Sequence, residues 1–391
     1  MAKVNGHLAQ MHESYLFSEV AKRAAAFSAE CPERRLLRLG VGDVTRPVAP
    51  CCVEAMKRAA DEMGGAATFR GYPPGTGETF LKRAILLAEY APLGVLLDES
   101  EIFVSDGAKT DAGALQELFA QDAAAAVCDP VYPVYLDANR MAGRRVVRMN
   151  CRAERGFCPE PPEERVDFLY LCSPNNPTGA ALTRAQLARL VAWARENDAA
   201  ILYDAAYRDY VVDGDCPRSV FEIDGAKEVA VELCSFSKGA GFTGLRCAWT
   251  AIPRENRWRL GELWARRQAA KFNGVSYPVQ RAAEAALSAE GLRYMEESVR
   301  FYLENAAILR RALESAGIAC FGGANAPYLW ARCPEGMRSW DWFDALLRGA
   351  GVVCTPGAGF GACGEGYVRF SAFASRGDTE EAAEKIARSA H

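Results

Sequence analysis

The sequence predicts an α/β fold built on a mainly parallel sheet. Short apolar runs alternate with longer helical stretches along the middle of the chain, which is typical of strands joined by helices. The runs fall at residues 101–104, 124–128, 167–171, 199–203 and 228–234. Polar motifs follow several of these runs, and an open α/β sheet binds its ligand at the carboxyl ends of its strands. With 391 residues, of which 50% are hydrophobic, the chain is long enough to bury a large core in more than one domain.

Composition excludes several classes of function. The formal net charge of −4 provides no basic surface suited to nucleic acid. No stretch of roughly 18 uncharged apolar residues is present, and the N-terminus lacks a compact apolar signal core. The sequence therefore predicts a soluble, cytoplasmic protein without a membrane partner.

Histidine and cysteine usage argues against two kinds of site. The chain has only His7, His12 and His391, all near the termini, so a histidine-based triad or a histidine-rich metal site is not expected. Its fourteen cysteines are scattered without a Cys-x-x-Cys pair. Cys234 and Cys247 flank a candidate catalytic segment, but packing is the expected role of both. No metal site is predicted.

The first motif follows the run that ends at residue 104. Residues 104–109 read VSDGAK and start a helical pattern that runs through Leu115 to Phe119. Small residues in the first turn leave backbone N–H groups free, and the start of a helix can bind a phosphate through such groups. The sequence therefore predicts a candidate phosphate site at the start of this helix.

Two further motifs follow the next strands. Residues 173–179 read SPNNPTG, in which two prolines fix the backbone and Asn176 projects a carboxamide. By itself this segment is equally an ordinary turn. The run at 199–203 ends by presenting the carboxylate of Asp204 and the phenol of Tyr207 three residues apart. Alone, these could be satisfied polar groups at the end of a strand.

Lys238 gives these motifs a common chemistry. It lies in the segment 235–246, which reads SFSKGAGFTGLR. A lone lysine in such a loop is usually a solvated surface charge. Together with the upstream motifs, however, it matches what a protein must provide to bind, orient and tune pyridoxal 5'-phosphate. A lysine that reacts covalently with this cofactor must be reachable as a neutral amine.

The C-terminal part of the chain has a different pattern. Residues 281–315 predict long helices rich in Ala, Glu and Arg, and the glycine-containing turn at 321–327 opens a strand. A further strand is predicted around Arg369, where Tyr367, Arg369 and Ser371 alternate and would face one side.

The order of these motifs resembles the class I/II aminotransferases of fold-type I and, more narrowly, the LL-diaminopimelate aminotransferases. The similarity spans nearly the whole chain. Further segments that carry it are 14–17 (SYLF), 39–45 (LGVGDVT), 70–72 (RGY), 129–133 (DPVYP), 271–274 (KFNG) and 364–369 (GEGYVR).

The resemblance implies a domain organisation. A large domain at residues 49–280 would carry the mainly parallel sheet and bind the cofactor. Residues 1–48 would form an N-terminal arm and part of a smaller α/β domain. Residues 281–391 would supply an interdomain helix and the rest of the small domain. The expected assembly is a homodimer with shared active sites.

The resemblance also implies the roles of the cofactor-binding residues. Lys238 would hold pyridoxal 5'-phosphate and then move the proton at the substrate Cα. Asp204 would pair with the pyridine nitrogen, and Tyr132 would stack on the ring. Asn176 and Tyr207 would hydrogen-bond the phenolate oxygen of the ring. Without the resemblance, Tyr132 could equally fill a hydrophobic corner.

The phosphate of the cofactor would be bound by residues from several segments. A guanidinium and the start of a helix together suit a dianion. The implied ligands are Ser235, Arg246 and the backbone at Ala108 and Lys109, with Tyr72 reaching in from the partner subunit.

Substrate binding is implied at a second set of positions. Arg369 would clamp the α-carboxylate, because a planar guanidinium forms two parallel hydrogen bonds with it. The alternative is an ordinary arginine at the edge of a strand. The remaining implied substrate contacts are Tyr15, Gly42, Lys109, Asn176 and, across the dimer, Asn273.

One segment departs from the family pattern. After the arginine at position 70, the family sequence is GYGPEQG. Residues 71–77 of this chain read GYPPGTG and place Gly75 where the family has a glutamate. In the family that carboxylate helps recognise the distal ammonium of diaminopimelate. Glu78 lies close by in sequence and could substitute.

The implied activity is transfer of an amino group between LL-2,6-diaminopimelate and 2-oxoglutarate by a ping-pong pathway. In the biosynthetic direction it makes LL-diaminopimelate from tetrahydrodipicolinate, a step toward lysine. Two alternatives remain. One is a fold-type I enzyme with another amino-acid substrate or reaction, because fold and cofactor do not fix the outcome. The other, a non-enzymatic regulator, would need an attached DNA-binding module.

Overall fold

The computed structural model describes residues 2–9, 11 and 16–389. The helices in chain order are α1 (Gly6–Ala9), α2 (Leu16–Glu30), α3 (Pro50–Gly64), α4 (Thr79–Ile85), α5 (Ala108–Leu115), α6 (Pro133–Met141), α7 (Arg184–Glu196), α8 (Ala226–Val229), α9 (Phe236–Gly239), α10 (Leu260–Lys271), α11 (Tyr277–Ala286), α12 (Ala289–Ser315), α13 (Ser339–Ala345) and α14 (Arg376–Ser389). The strands are β1 (Leu37–Arg38), β2 (Ile102–Ser105), β3 (Ala125–Asp129), β4 (Val146–Asn150), β5 (Phe168–Cys172), β6 (Ala200–Asp204), β7 (Ala230–Ser235), β8 (Ala248–Ala251), β9 (Cys320–Gly322), β10 (Tyr328–Arg332), β11 (Val352–Val353), β12 (Thr355–Pro356) and β13 (Tyr367–Ser371).

A seven-stranded sheet forms the centre of the molecule, in the order β2-β8-β7-β6-β5-β3-β4. Every strand pair from β7 to β4 is parallel, whereas β8 runs antiparallel to both β7 and β2. The five apolar runs of the sequence correspond to β2, β3, β5, β6 and β7, so the prediction of a mainly parallel sheet is confirmed.

The other two strands of this sheet lacked a continuous apolar run. In β4, exposure alternates along the strand, because it lies at the edge and carries Arg148. In β8, buried alanines flank Trp249 and Thr250 directly after a glycine-rich loop. So short a strand, with small residues at both ends, has no recognisable pattern in the sequence. The five strands with continuous apolar runs are therefore visible in the sequence, whereas β4 and β8 are not, although β8 is buried along its whole length.

A second, antiparallel sheet of four strands has the order β12-β13-β10-β9. The helices predicted at 281–315 are present as α11 and α12, the first of which already begins at Tyr277. The predicted strand around Arg369 is β13, and Trp330 of β10 lies opposite Arg369. A two-stranded parallel pair, β1 with β11, connects the N-terminal segment to the C-terminal part of the chain.

The carboxyl ends of the parallel strands carry the candidate site residues. β6 ends at Asp204, and β7 ends at Ser235 directly before α9. The helix predicted after residue 107 begins at Ala108 but ends at Leu115, where a single 3-10 turn continues the chain. Cys234 and Cys247 are fully buried in the hydrophobic core, which confirms their expected packing role.

The described residues contain neither a membrane-spanning helix nor a metal-binding cluster. None of the described helices is long and apolar enough to cross a membrane. In the same part of the chain, no group of three or more His, Cys, Asp or Glu side chains could hold a metal ion.

Candidate active site

Lys238 is positioned by the short turn that follows the central strand β7. Ser235 caps α9, since its Oγ accepts a hydrogen bond from the Ser237 N–H over 3.1 Å. The Nζ atom of Lys238 donates a hydrogen bond to the backbone oxygen of Gly42 and lies 5.4 Å from the ring centre of Phe373. The amine thus projects away from the sheet toward the segment that follows β1.

The surroundings of Lys238 favour its neutral form. The pKa of the amine is lowered to about 8, mainly by burial; Asp43 acts to raise it, and the nearby cations Arg369 and Arg246 act to lower it. An amine with such a pKa is neutral in a sizeable fraction of molecules near neutral pH, which is the form that acts as a nucleophile or accepts a proton.

An anion cradle lies beside Lys238. Gly107 precedes α5, and a side chain there would collide with the guanidinium of Arg246, so the guanidinium lies against the start of this helix. Arg246 also donates a hydrogen bond over 3.3 Å to the Oγ of Ser237. The free N–H groups of a helix start, a guanidinium and a serine hydroxyl together suit a phosphate dianion.

The start of α5 is fixed by a buried carboxylate. Asp111 lies in its first turn and accepts hydrogen bonds from the Ser105 Oγ at 2.6 Å and the Thr250 Oγ1 at 2.7 Å. These partners lie on β2 and β8, so Asp111 ties the helix to two strands of the large sheet. Burial raises the pKa of Asp111 to about 7, although both hydroxyl donors lower it.

Asp204 is a buried carboxylate at the end of β6, with 7% of its surface exposed. It accepts hydrogen bonds from the Tyr135 hydroxyl at 2.6 Å and the Ala206 N–H at 3.0 Å. Burial raises its pKa. Among the described residues no cation pairs with it, so a ligand with a protonated ring nitrogen would supply the missing charge partner.

Arg369 is a buried cation on β13, with 1% of its surface exposed. It donates hydrogen bonds of 2.6 Å each to the side-chain oxygen of Asn176 and to the backbone oxygen of Gly40. Its Nε has no hydrogen-bond partner, and no carboxylate pairs with it in the described part of the chain. A buried guanidinium with an unsatisfied donor suits a carboxylate ligand.

Tyr207 hydrogen-bonds to a second tyrosine. Its hydroxyl lies 2.7 Å from that of Tyr328 on β10, and both rings are buried. Burial raises the pKa of Tyr207 well above its usual value, so the hydroxyl stays protonated and able to donate. Tyr328 in turn lies under the Arg369 guanidinium, 4.4 Å from Cζ to ring centre.

Other candidate residues lie at the margin or outside the described chain. Tyr132 precedes α6 and meets Tyr135 edge-to-face at 5.9 Å between ring centres. Lys109 is exposed at the start of α5, and Asn273 is exposed as well. Tyr72 is 87% exposed, which within one subunit leaves its ring in solvent. Tyr15 falls outside the described residues.

The segment 71–77, whose sequence differs from the family pattern, packs against the loop before α11. A Cβ atom at Gly75 would meet only the backbone oxygen of Phe272, at 3.7 Å, and Gly75 does not have a positive φ. A Cβ atom therefore fits there without displacing a neighbour. The Glu78 N–H donates to the Gln280 side chain over 2.8 Å, which fixes its backbone at the start of α4.

Several residues of this site are not among those predicted from the sequence. Ser237, Tyr135, Tyr328 and Gly40 contact the candidate residues directly. Ser237 could have been identified, because it belongs to the same motif as Lys238. Gly40 lies in the segment 39–45, which carries the family resemblance. Tyr135 and Tyr328 come from α6 and β10, where no local pattern marks them.

The site as a whole suits pyridoxal 5'-phosphate. The cradle of α5 and Arg246 fits a phosphate, the carboxylate of Asp204 fits a protonated ring nitrogen, and the amine of Lys238 fits an aldehyde. Arg369 remains available for a carboxylate that is not part of the cofactor.

Known proteins that are similar to this chain are aminotransferases. The model of the aminotransferase class I and II family matches residues 34–386. An LL-diaminopimelate aminotransferase of Methanosphaera stadtmanae is 49% identical, over 99% of this chain and 98% of the relative. Another, of Desulforapulum autotrophicum, is 51% identical over 98% of both chains. The solved structure of L,L-diaminopimelate aminotransferase from Chlamydomonas reinhardtii superposes with a TM-score of 0.93 at 38% identity and covers 100% of this chain and 99% of that one.

Proposed function

Because this chain belongs to the class I and II aminotransferases, we propose that it transfers an amino group between LL-2,6-diaminopimelate and 2-oxoglutarate. Two relatives that bear the name of this activity are about half identical to the chain over nearly its full length, which supports this choice of substrate. The reaction proceeds by a ping-pong pathway in which donor and acceptor bind in turn.

The cofactor of this family is pyridoxal 5'-phosphate. When bound, it supplies an aldehyde for an amine and a ring that withdraws electrons from the substrate Cα. The residues that would hold it are Lys238, Asp204, Asn176, Tyr207, Tyr132, Ser235, Arg246, the backbone at Ala108 and Lys109, and Tyr72 of the second subunit.

Three side chains carry the chemistry of the chain itself. Lys238 would hold the cofactor covalently and would move a proton at the substrate Cα, as its lowered pKa allows. Asp204 keeps the ring nitrogen protonated because a buried carboxylate is stabilised by a cation. Arg369 holds the α-carboxylate and so orients the Cα–H bond toward the amine.

One observation carries the proposal. The amine of Lys238 and the guanidinium of Arg369 are held by backbone oxygens of the same short segment, those of Gly42 and Gly40. The reacting amine and the carboxylate clamp are therefore fixed relative to each other, as proton transfer at Cα requires.

Assembly and location belong to the same proposal. A homodimer would cover the exposed Tyr72 and Asn273 and bring them to the site of the other subunit. The division into residues 1–48, 49–280 and 281–391 and a cytoplasmic location are consistent with a biosynthetic enzyme of this kind.

Single-turnover spectroscopy tests the proposed substrate. The purified holoenzyme is mixed with LL-diaminopimelate, glutamate, aspartate, lysine, ornithine or an aromatic amino acid, and the change of the visible cofactor band is followed. We expect fast conversion with LL-diaminopimelate and glutamate alone. Faster conversion with another donor would replace the substrate, and no conversion with any donor would contradict transamination.

A second candidate function is favoured by Gly75. Because the family's glutamate is absent there, the distal end of the site lacks one carboxylate, and a different amino acid could be the preferred donor. The same experiment distinguishes the two candidates.

A further inference from the structure

We propose that Tyr328 is a positioning residue that orients the hydroxyl of Tyr207 toward the cofactor and supports Arg369 through its ring. The inference rests on the proposed function, since it concerns the same site. It adds a residue that links the part of the site facing the cofactor ring to the part that binds the substrate carboxylate.

The contact with Tyr207 determines where a proton points. Each hydroxyl has one proton to donate and lone pairs that accept, and the two oxygens are 2.7 Å apart. If Tyr207 is to donate to a ring oxygen of the cofactor, its own oxygen can only accept from Tyr328. A hydrogen bond donated by Tyr328 therefore frees the Tyr207 proton for the cofactor and polarises it.

The contact with Arg369 stabilises a buried charge. Cζ of Arg369 lies 4.4 Å from the ring centre of Tyr328 and 5.1 Å from that of Phe360. Among the described residues Arg369 has no carboxylate partner, so these aromatic faces offset part of its charge before a substrate binds. They also fix the plane of the guanidinium.

The backbone of Tyr328 is itself fixed. Tyr328 lies on β10 opposite Ser371 of β13, the strand that carries Arg369. Its hydroxyl lies against Gly42, where any side chain would collide with it. Gly42 supplies the backbone oxygen that accepts from Lys238. Tyr328 therefore contacts Tyr207 and Arg369 directly and lies next to the glycine that holds Lys238.

A purely structural role is the alternative. Tyr328 also packs in a cluster with Tyr210, Tyr302 and Phe373, which the ring alone could satisfy. Tyr328→Phe keeps the ring and removes the hydroxyl, whereas Tyr328→Leu removes both. The two variants thus separate the hydrogen bond from the contact with Arg369.

The first readout is the pH titration of the visible band of bound pyridoxal 5'-phosphate. Tyr207→Phe removes a donor to the ring oxygen and should raise the midpoint, because the oxygen anion is less stabilised. We expect Tyr328→Phe to raise it in the same direction by about 0.5 to 1 pH unit. In the double variant Tyr207→Phe/Tyr328→Phe, the second change should add nothing. A Tyr328→Phe titration identical to that of the wild type, or fully additive shifts, would overturn the proposed orientation of Tyr207.

The second readout is the affinity for maleate, a dicarboxylate without an amine, measured by its spectral effect on the holoenzyme. Tyr328→Phe should bind it within about twofold of the wild type, and Tyr328→Leu about five- to tenfold more weakly. Equal affinities for both variants would refute the support of Arg369. Failure of the wild type to show any visible cofactor band would contradict the proposed function itself, whereas a normal wild-type band with unchanged variants overturns only the role of Tyr328.

Discussion

Arg369 and Asn176 are joined by a buried hydrogen bond of 2.6 Å from the guanidinium to the side-chain oxygen. Because the Asn176 oxygen is engaged in this way, its NH₂ group is left to donate to a ligand. The residue expected at the cofactor ring therefore also holds the residue expected at the substrate. A change at either position should affect both binding events.

Replacing Arg369 by lysine tests the clamp. Arg369→Lys keeps the charge but loses the planar pair of donors, so we expect kcat/KM for the amino-acid donor to fall about 100-fold or more. Steady-state kinetics measure this effect, and the visible cofactor band, which should persist, controls for folding. A fall of less than about threefold would contradict the assignment of Arg369 to the α-carboxylate.

The amine of Lys238 should titrate at an unusually low pH. Its pKa is lowered to about 8 by burial and by neighbouring cations, so in the cofactor-free protein its reactivity toward acetic anhydride should level off near pH 9. Competitive labelling followed by peptide mass spectrometry measures the profile, and exposed lysines in the same digest provide the control. A profile of Lys238 that coincides with theirs would refute the lowered pKa.

Asp111 should make the cofactor-free protein less stable as pH rises. Its pKa is raised to about 7 in the folded state, so the folded protein binds this proton more tightly than the unfolded chain does. The free energy of unfolding should fall between about pH 4 and pH 7 and stay level above that range.

The variant Asp111→Asn removes this dependence while keeping an oxygen to accept from Ser105 and Thr250. The unfolding free energy of the variant minus that of the wild type should increase by about 2 to 4 kcal/mol from pH 5 to pH 8. Urea denaturation of both proteins at the two pH values measures the difference. If the two proteins differ in unfolding free energy by the same amount at pH 5 and at pH 8, Asp111 does not titrate in this range.

Gly75 should control recognition of the distal amine. A Cβ atom fits at this position, which lacks a positive φ, so Gly75→Glu should fold and add a carboxylate. We expect the ratio of kcat/KM for LL-diaminopimelate over glutamate to rise about tenfold or more. Gly75→Gln is the matched neutral control and should leave the ratio near that of the wild type. An equal rise in both variants would attribute the effect to size and not to charge.

Mixing two impaired variants tests the shared site. Lys238→Ala should have no activity, and Tyr72→Ala should bind the cofactor phosphate weakly. If Tyr72 acts across the dimer, a mixed dimer contains one site with both residues intact. Unfolding and refolding the two variants together should therefore restore up to about a quarter of the wild-type activity, with each variant refolded alone as the control. Activity no greater than the average of the two controls would place Tyr72 in its own subunit's site.

The fold class and the family were predictable from the sequence, and both are confirmed. Strands such as β5 and β6 are buried on both faces, so their residues form continuous apolar runs that are visible without a structure. The edge strand β4 and the antiparallel strand β8 were missed, because edge exposure and small residues break such a run.

The candidate site was predictable where its residues lie in motifs directly after strands, as Asp204 and Lys238 do. Their supporting partners were not. Tyr135 lies on a helix and Tyr328 on a strand of the other sheet, and each meets its partner only through tertiary packing. A tyrosine among apolar residues has the same local sequence whether it supports a site or fills a core.

The backbone oxygens of Gly40 and Gly42 have a consequence for how the enzyme is made. They accept from Arg369 and Lys238 across sequence separations of 329 and 196 residues. Gly40 is synthesised 329 residues before Arg369. A nascent chain can build the large sheet before it can complete the carboxylate clamp, so substrate binding should arise only after Arg369 has left the ribosome.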